Sequence, residues 1–309
     1  MKISVVVPCF NEEDNIIPIS ESIVKQFEEK LPNYDYELIF IDNCSEDRSR
    51  SKIEHLCNQN RNIKAIFNIR NFGQFNSPFY GICQANGDCV ILVCADFQDP
   101  VELIPQFIKE WESGYKIVIG VKKQSDENKF MRLLRAAYYK IMKKIAYIDY
   151  IDQFTGFGLY DKSFISILKS LNDPMPFLRG LVAEFGGKRK EIAYRQSRRR
   201  SGKSSYNIYK LYDALMLSVT SYTKISIRIA SFFGFFIATI DAIIGFYYFV
   251  RKIVSWDSFP LGMAPLVMGF FLFCSIILIF IGLLGEYILS INTRLLNRPL
   301  VIEEKRINF

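Results

Sequence analysis

Two carboxylates, Asp96 and Asp99, stand three residues apart just beyond an apolar run at 90–93, with Cys94 before them and Gln98 between. At the end of a strand, such a group offers oxygen ligands to a hard divalent ion and, through it, a hold on phosphate. The alternative is local. Asp99 followed by Pro100 reads as an N-cap with proline at the first helical position, which would start a helix there. Two more polar clusters follow apolar runs in the same way, "PCFNEE" at 8–13 and "DNCSED" at 42–47. A cationic group, "RQSRRRSGKSSYN" at 195–207, brings together Arg195, Arg198, Arg199, Arg200 and Lys203. Arginine and lysine in that density suit an anionic phosphate or an anionic membrane surface. His55 is the single histidine, so a mechanism built on a histidine base is disfavoured. The seven cysteines form no C-x-x-C pair and are odd in number, which argues against a zinc site or a disulfide framework.

The elements that must position these residues follow from the apolar pattern. "KISVVV" at 2–7, "YELIFI" at 36–41, the run at 63–69 and the run at 89–93 are short and β-branched, as buried parallel strands are. Helical stretches are predicted between them, from about 12 to 30, to about 58, and over 73–85, with a further helix over 101–111 and a strand at 116–119. Strand and helix alternating at roughly 30-residue intervals predict an open α/β sheet with parallel strands. Ligands of such sheets bind at the carboxyl ends of the strands, and the three acidic and amide clusters all fall there. No G-x-G-x-x-G follows the first strand, which disfavours a dinucleotide cofactor.

The second half differs in composition. Residues 229–250 hold one charge, Asp241, and residues 261–285 hold none. As helices these would be about 33 and 37 Å long, enough to cross a hydrocarbon core of about 30 Å. Arg198, Arg199, Arg200, Lys203, Lys224 and Arg228 precede the pair, and Arg294, Arg298, Lys305 and Arg306 follow it, against Arg251 and Lys252 between. The positive-inside rule then puts both termini and the N-terminal domain in the cytoplasm, against the inner membrane. Residues 129–145 carry apolar positions at helical spacing with six basic residues on the remaining face, an interfacial pattern. The net charge of +7 is accounted for by this membrane-flanking cluster, so a nucleic-acid partner is not expected. Asp241 within a span hints at packing in a homo-oligomer or at contact with the acceptor, and Gly245, Gly282 and Gly285 would allow close helix approach.

"VVPCFNEEDNI", "IDNCSEDRS", "NIRNFGQ", "CADFQDPVELI" and "RRRSGKSSYN" occur in the order and spacing of the polyisoprenyl-phosphate glycosyltransferases of family 2, which the chain resembles over nearly its whole length. The resemblance implies a GT-A, Rossmann-like α/β domain with a C-terminal hairpin of two transmembrane helices. The expected boundaries are a catalytic domain at 1–205, a juxtamembrane segment at 206–228, two spans within 229–290 and a cytoplasmic tail at 291–309. It further implies transfer of a hexose, by default glucose from UDP-glucose, to undecaprenyl or another polyprenyl phosphate, with inversion and with Mg²⁺ or Mn²⁺ as cofactor.

Carried over residue by residue, the resemblance assigns nucleotide binding to Pro8, Phe10, Asn11, Glu12, Asp42, Asn43 and Asp96, and metal binding to Asp96 and Gln98. The family motif favours phosphate contact by Lys203 and Ser204; Arg200 in the adjoining basic run is a further candidate for the acceptor phosphate, and Arg132 or Arg135, on the basic face of 129–145, is the candidate for the diphosphate. Asp96 and Asp152 are the catalytic candidates, Asp152 as a base. Two positions depart from the family pattern: Cys94 replaces the first aspartate of D-x-D, and Asn43 replaces a second aspartate after Asp42. A strong base is not obligatory, because a phosphate monoester with a second pKa of about 6 is largely ionised at neutral pH. Two other readings predict different behaviour. One is a glycosyltransferase with a saccharide acceptor, and the other is a nucleotide-sugar-binding scaffold impaired by Cys94 and Asn43.

Overall fold

The computed structural model describes the chain except for residues 125–137, 172, 198–199, 201–207, 224–227, 229–231, 238, 241–242, 244–246, 248–249, 251–252, 255–262 and 297. It divides into two compact units, one of residues 1–144, 148–210 and 293–309, the other of residues 145–147 and 211–292.

The first unit is built on one eight-stranded sheet in the order β7-β5-β6-β4-β1-β2-β3-β8. Its strands are β1 (Lys2–Cys9), β2 (Asp35–Asp42), β3 (Ile63–Asn68), β4 (Cys89–Leu92), β5 (Ile117–Gln124), β6 (Phe154–Asp161), β7 (Arg189–Arg195) and β8 (Glu303–Ile307). Helices α1 (Glu13–Lys30), α2 (Ser49–Gln59), α3 (Gly73–Gln84), α4 (Ile104–Glu112), α5 (Lys162–Ser170) and α6 (Leu178–Phe185) complete it. Helices cover both faces, which is why β1 and β2 read as unbroken apolar runs rather than alternating ones. Val5, Val7, Phe40 and Phe67 pack with Ile16, Ile19, Ile53 and Phe107 on one face. Val6, Ile39, Ile41 and Ile66 pack with Phe79, Ile82, Phe164 and Ile165 on the other.

The four predicted parallel strands are parallel, but the sheet as a whole is mixed. β6 lies antiparallel between β4 and β5, and β8 runs antiparallel to β3. A strand buried on both faces carries the same apolar run in either direction, so its sequence does not disclose polarity. The mixed order matters for the site. Leu92 at the end of β4 pairs with Gly158, so the start of β6, with Asp152 and Gln153 just before it, lies at the same edge as the carboxyl ends of β1, β2 and β4. β7 runs parallel to β5, with Arg195 opposite Gln124, and so delivers the chain after Arg195 to that edge too.

β8 comes from residues read as a tail. Arg50 holds Glu304 with two bonds of 2.8 Å, and Asn308 Nδ2 donates to the carbonyls of Cys57 and Ile63. The strand covers the β3 edge, which would otherwise present open hydrogen-bonding groups.

In the second unit, α7 (Ile208–Tyr222) ends near an isolated bridge between Ala146 and Thr223, and Tyr147 Oη donates to the Ser221 carbonyl. Helix α8 (Met263–Leu295) holds one 18-residue stretch, Ile276–Thr293, long and apolar enough to cross a membrane, none of it buried. Half of the first predicted span, including Asp241 and Gly245, lies outside the described residues, as does most of the interfacial pattern at 129–145.

Candidate active site

The loop after β1 and the loop after β2 are stitched together by polar side chains. Asn11 takes a left-handed backbone, φ 56°. Its N–H donates to Ser45 Oγ at 2.9 Å, and its Oδ1 accepts from the Glu46 N–H at 2.8 Å. The Glu12 N–H donates to Ser49 Oγ, the Glu13 N–H to Asp47, and the Arg48 N–H to the Glu13 carboxylate. Asn11 and Glu12 therefore shape the loop pair, and Pro8 and Phe10 stand half-buried beside it. Asp42 is buried at the end of β2 and accepts from the hydroxyl and N–H of Ser45. Burial raises its pKa, and the Ser45 bonds counter that only in part.

Asn43 turns inward. Its Nδ2 donates to Asn71 Oδ1 at 2.9 Å and to the Gly73 carbonyl at 3.2 Å. Its Oδ1 accepts from the Phe72 N–H at 2.9 Å and from Asn68 Nδ2 at 3.1 Å. The two backbone partners fix the orientation of the amide, since an N–H can only donate and a carbonyl only accept. This amide organises the loop from β3 to α3, a role its sequence position did not signal.

The loop after β4 carries the predicted metal residues. Asp96 is 6% exposed, and its Oδ1 accepts from the Gln98 N–H at 3.1 Å across a left-handed Phe97, φ 59°. With Asn11, Cys44 (φ 65°) and Gln153 (φ 55°), four of the five non-glycine residues of positive φ among the described residues lie in loops at this one edge. Such conformations cost energy and concentrate at functional sites.

The reading of Asp99 as a helix cap is corrected. The first helical turn, a 3₁₀ turn at Val101–Leu103, is preceded by Pro100 with no side-chain cap, and α4 starts only at Ile104. Asp99 is 3% exposed and accepts a 2.5 Å hydrogen bond from Tyr194 Oη on β7. Burial raises the Asp99 pKa despite that bond. The Cys94 side chain reaches solvent but is walled by protein. That surrounding mass first, and Asp99 and Asp96 next, push its thiol well above the ordinary range.

These facts decide what metal the residues suit. Cys94 is a neutral thiol at pH 7, not a thiolate, and one Asp99 oxygen is taken by Tyr194. Among the described residues, no group of three His, Cys, Asp or Glu is arranged to hold a metal. Asp96 with Gln98 offers one charged and one neutral donor. That fits a hard ion completing its shell from phosphate and water, and does not fit a soft thiolate-bound metal.

The basic segment meets this loop. The Ser197 N–H donates to the Gln98 carbonyl and the Arg200 N–H to the Asp96 carbonyl, each at 3.4 Å. The Arg200 guanidinium lies 5.3 Å from the centre of the Phe97 ring. Asp152 instead forms a 2.5 Å ion pair with Lys143. Arg132, Arg135, Lys203 and Ser204 lie outside the described residues.

A family model, glycosyl transferase family 2, matches residues 4–168. The chain is 32% identical over 308 residues to a prophage-derived bactoprenol glucosyl transferase of Shigella flexneri, covering 99% of this chain and 98% of that one. It is 33% identical over 309 residues to the bactoprenol glucosyl transferase of Shigella phage SfX, covering 99% and 100%. Among solved structures, it is similar to a Mycobacterium tuberculosis glucosyl-3-phosphoglycerate synthase in complex with Mn²⁺, UDP-glucose and glycerol 3-phosphate. That likeness has 17% identity and a TM-score of 0.48, over 71% of this chain and 78% of the other. The chain belongs to glycosyl transferase family 2, as a glycosyltransferase with a GT-A, Rossmann-like α/β domain.

Proposed function

We propose that this enzyme transfers a hexose, by default glucose, from a nucleotide diphosphate sugar to a polyprenyl phosphate at the cytoplasmic face of the membrane. The observation that carries this reading is the meeting of Arg200 with the Asp96–Gln98 turn. A group suited to an anionic acceptor thereby stands beside a group suited to a donor diphosphate. The near-full-length similarity to bactoprenol glucosyl transferases supports both the sugar and the lipid. The apolar stretch in α8, with the half-described apolar run at 229–250, supports a two-helix anchor, and the basic residues flanking the pair support both termini being cytoplasmic.

In the reaction, a lipid phosphate oxygen attacks the anomeric carbon. The bond from that carbon to the diphosphate oxygen breaks, the nucleoside diphosphate departs with the bonding pair, and the configuration inverts. Pro8, Phe10 and Asp42 would line the nucleoside pocket, on loops that Asn11, Glu12 and Asn43 hold in shape. Asp96 and Gln98 would hold Mg²⁺ or Mn²⁺, which when bound supplies Lewis-acid assistance to the departing diphosphate. Arg200 would orient the acceptor phosphate, with Lys203, Ser204, Arg132 and Arg135 as further contacts. The lipid phosphate is already ionised, so positioning and charge stabilisation supply most of the rate. No proton need pass to Asp152, whose pairing with Lys143 favours a structural role.

The test is a transfer assay on the full chain in detergent, with undecaprenyl phosphate, labelled UDP- and GDP-sugars, and Mg²⁺ or Mn²⁺. Label should enter the lipid extract from one donor, UDP-glucose first, and Asp96→Ala should lower the rate by at least about a hundredfold. Nucleotide binding without labelled lipid would overturn the reading in favour of a scaffold or another acceptor.

A further inference from the structure

Tyr194 is the last inward-facing residue of β7, and its ring packs edge-on against Phe157, centroids 5.5 Å apart. Room for that pair exists because residue 120 is glycine. A Cβ there would stand 2.6 Å from Phe157 Cδ1 and 3.0 Å from Tyr194 Cε1. Packing alone would be served by phenylalanine. The hydroxyl instead reaches a carboxylate 95 residues away, Asp99, in a buried 2.5 Å bond. Burial first, and Asp99 next, raise the Tyr194 pKa, so the phenol remains a donor.

The two partners sit at the roots of the two segments that meet at the site. Asp99 follows the Asp96–Gln98 turn directly, and Tyr194 directly precedes the segment at 195–200. Beyond this root, Ser197 and Arg200 each reach the turn by a backbone bond of 3.4 Å, and the Arg200 guanidinium lies over the Phe97 ring. Bonds of that length are weak, and a partly exposed cation–π contact contributes modestly. The Tyr194–Asp99 bond, buried and 2.5 Å long, is much shorter than those contacts and ties the roots of the two segments together.

We infer that the Tyr194–Asp99 pair is a positioning device that seats Ser197 and Arg200 on the Asp96–Gln98 turn and thereby sets Arg200 for the acceptor phosphate. The inference deepens the acceptor role proposed for Arg200 and rests on it. Neither Tyr194 nor Asp99 need touch a substrate. The pair acts through Arg200, so its loss should weaken use of the acceptor and spare donor binding.

The experiment compares wild type, Tyr194→Phe, Asp99→Asn, Arg200→Ala and the Tyr194→Phe/Arg200→Ala double variant, each as the full chain in detergent. Three quantities are read: KM for undecaprenyl phosphate, affinity for UDP by calorimetry, and hydrogen exchange at the amides of Ser197 and Arg200. Tyr194→Phe should raise the lipid KM and speed exchange at both amides on the order of tenfold, the effect of losing one hydrogen bond to a charged group. UDP affinity and exchange within β1 should stay within about twofold, and the double variant should be no worse than Arg200→Ala, since residues acting as one unit are non-additive. Asp99→Asn keeps an oxygen that can accept from Tyr194 and should fall between wild type and Tyr194→Phe. Unchanged exchange, or multiplicative losses in the double variant, would overturn the inference. If wild type labels no lipid with any donor, the acceptor reading falls by itself. The exchange rates then still decide the tie, because they do not depend on turnover.

Discussion

Asn43→Asp restores the acidic pair common in the family without changing side-chain size, and it should harm the protein. The wild-type amide donates two hydrogen bonds, to Asn71 Oδ1 and the Gly73 carbonyl, and accepts two, from the Phe72 N–H and Asn68 Nδ2. A carboxylate keeps the two it accepts, loses the two it donates and turns its charge toward two oxygens in a site 7% exposed. Each lost bond is worth about 1 kcal/mol, and Asn71 and Gly73 are exposed enough to turn to water, so a loss of about 2 kcal/mol is expected. Protonation would restore one donor, so the folded-state pKa of the new aspartate must lie above its unfolded value near 3.9. The folded state then binds more protons than the unfolded one as pH rises through that window, and the deficit against wild type grows upward from about pH 4. Denaturant unfolding of the full chain in detergent, followed by tryptophan fluorescence at pH 4 and pH 7, measures this directly. A variant as stable as wild type at pH 7 and binding UDP more tightly would refute the reasoning, because Asn43 would then face the nucleotide rather than its own loop.

Two further predictions address the core and its reach into the site. Burial alone would raise the Glu37 pKa, but hydrogen bonds from Lys2, Ser4, the Asn86 N–H and Lys64 overcome it and hold it down at about 2, from an ordinary 4.5. That shift is worth about 3 kcal/mol, present in full above pH 4.5 and lost as pH falls toward 2. The stability gap between wild type and Glu37→Gln should therefore be less than half as large at pH 3 as at pH 7, and an equal gap at both would reject the assignment. Gly120→Ala puts a methyl against two buried rings and should cost about 1–3 kcal/mol by overpacking. Because one of those rings is Tyr194, the variant should also raise the lipid KM. Lost stability with an unaltered KM would separate the packing from the site.

What the sequence disclosed was local. The runs at 2–7, 36–41, 63–69 and 89–93 are strands because β-branched residues fill a surface buried on both sides, and that pattern needs no partner to be read. The three polar clusters mark strand ends for the same reason. β8 was opaque: "EEKRI" carries the charge of a surface tail, and pairs with β3 only because Arg50, Lys305 and Asn308 reach residues some 250 positions away. Asp99 misled in the opposite sense. Asp-Pro satisfies every local rule for starting a helix, but a tyrosine hydroxyl 95 residues distant takes the carboxylate instead. Local propensity gives way where a tertiary contact offers a buried acceptor a better donor.

The two departures from the family pattern have a common physical logic. At position 94, an aspartate would place a third carboxylate beside Asp96 and Asp99, which are 6% and 3% exposed. A further like charge there would repel both. A thiol occupies the position without charge, its pKa raised by the surrounding protein first and by Asp99 and Asp96 next. At position 43, an aspartate would face an amide oxygen and a carbonyl, and an amide supplies both with donors. In each case, a neutral group able to donate stands where the neighbours can only accept. Read as missing ligands, Cys94 and Asn43 suggest a weakened enzyme. Read against their neighbours, Cys94 and Asn43 are neutral groups set beside oxygens that can only accept.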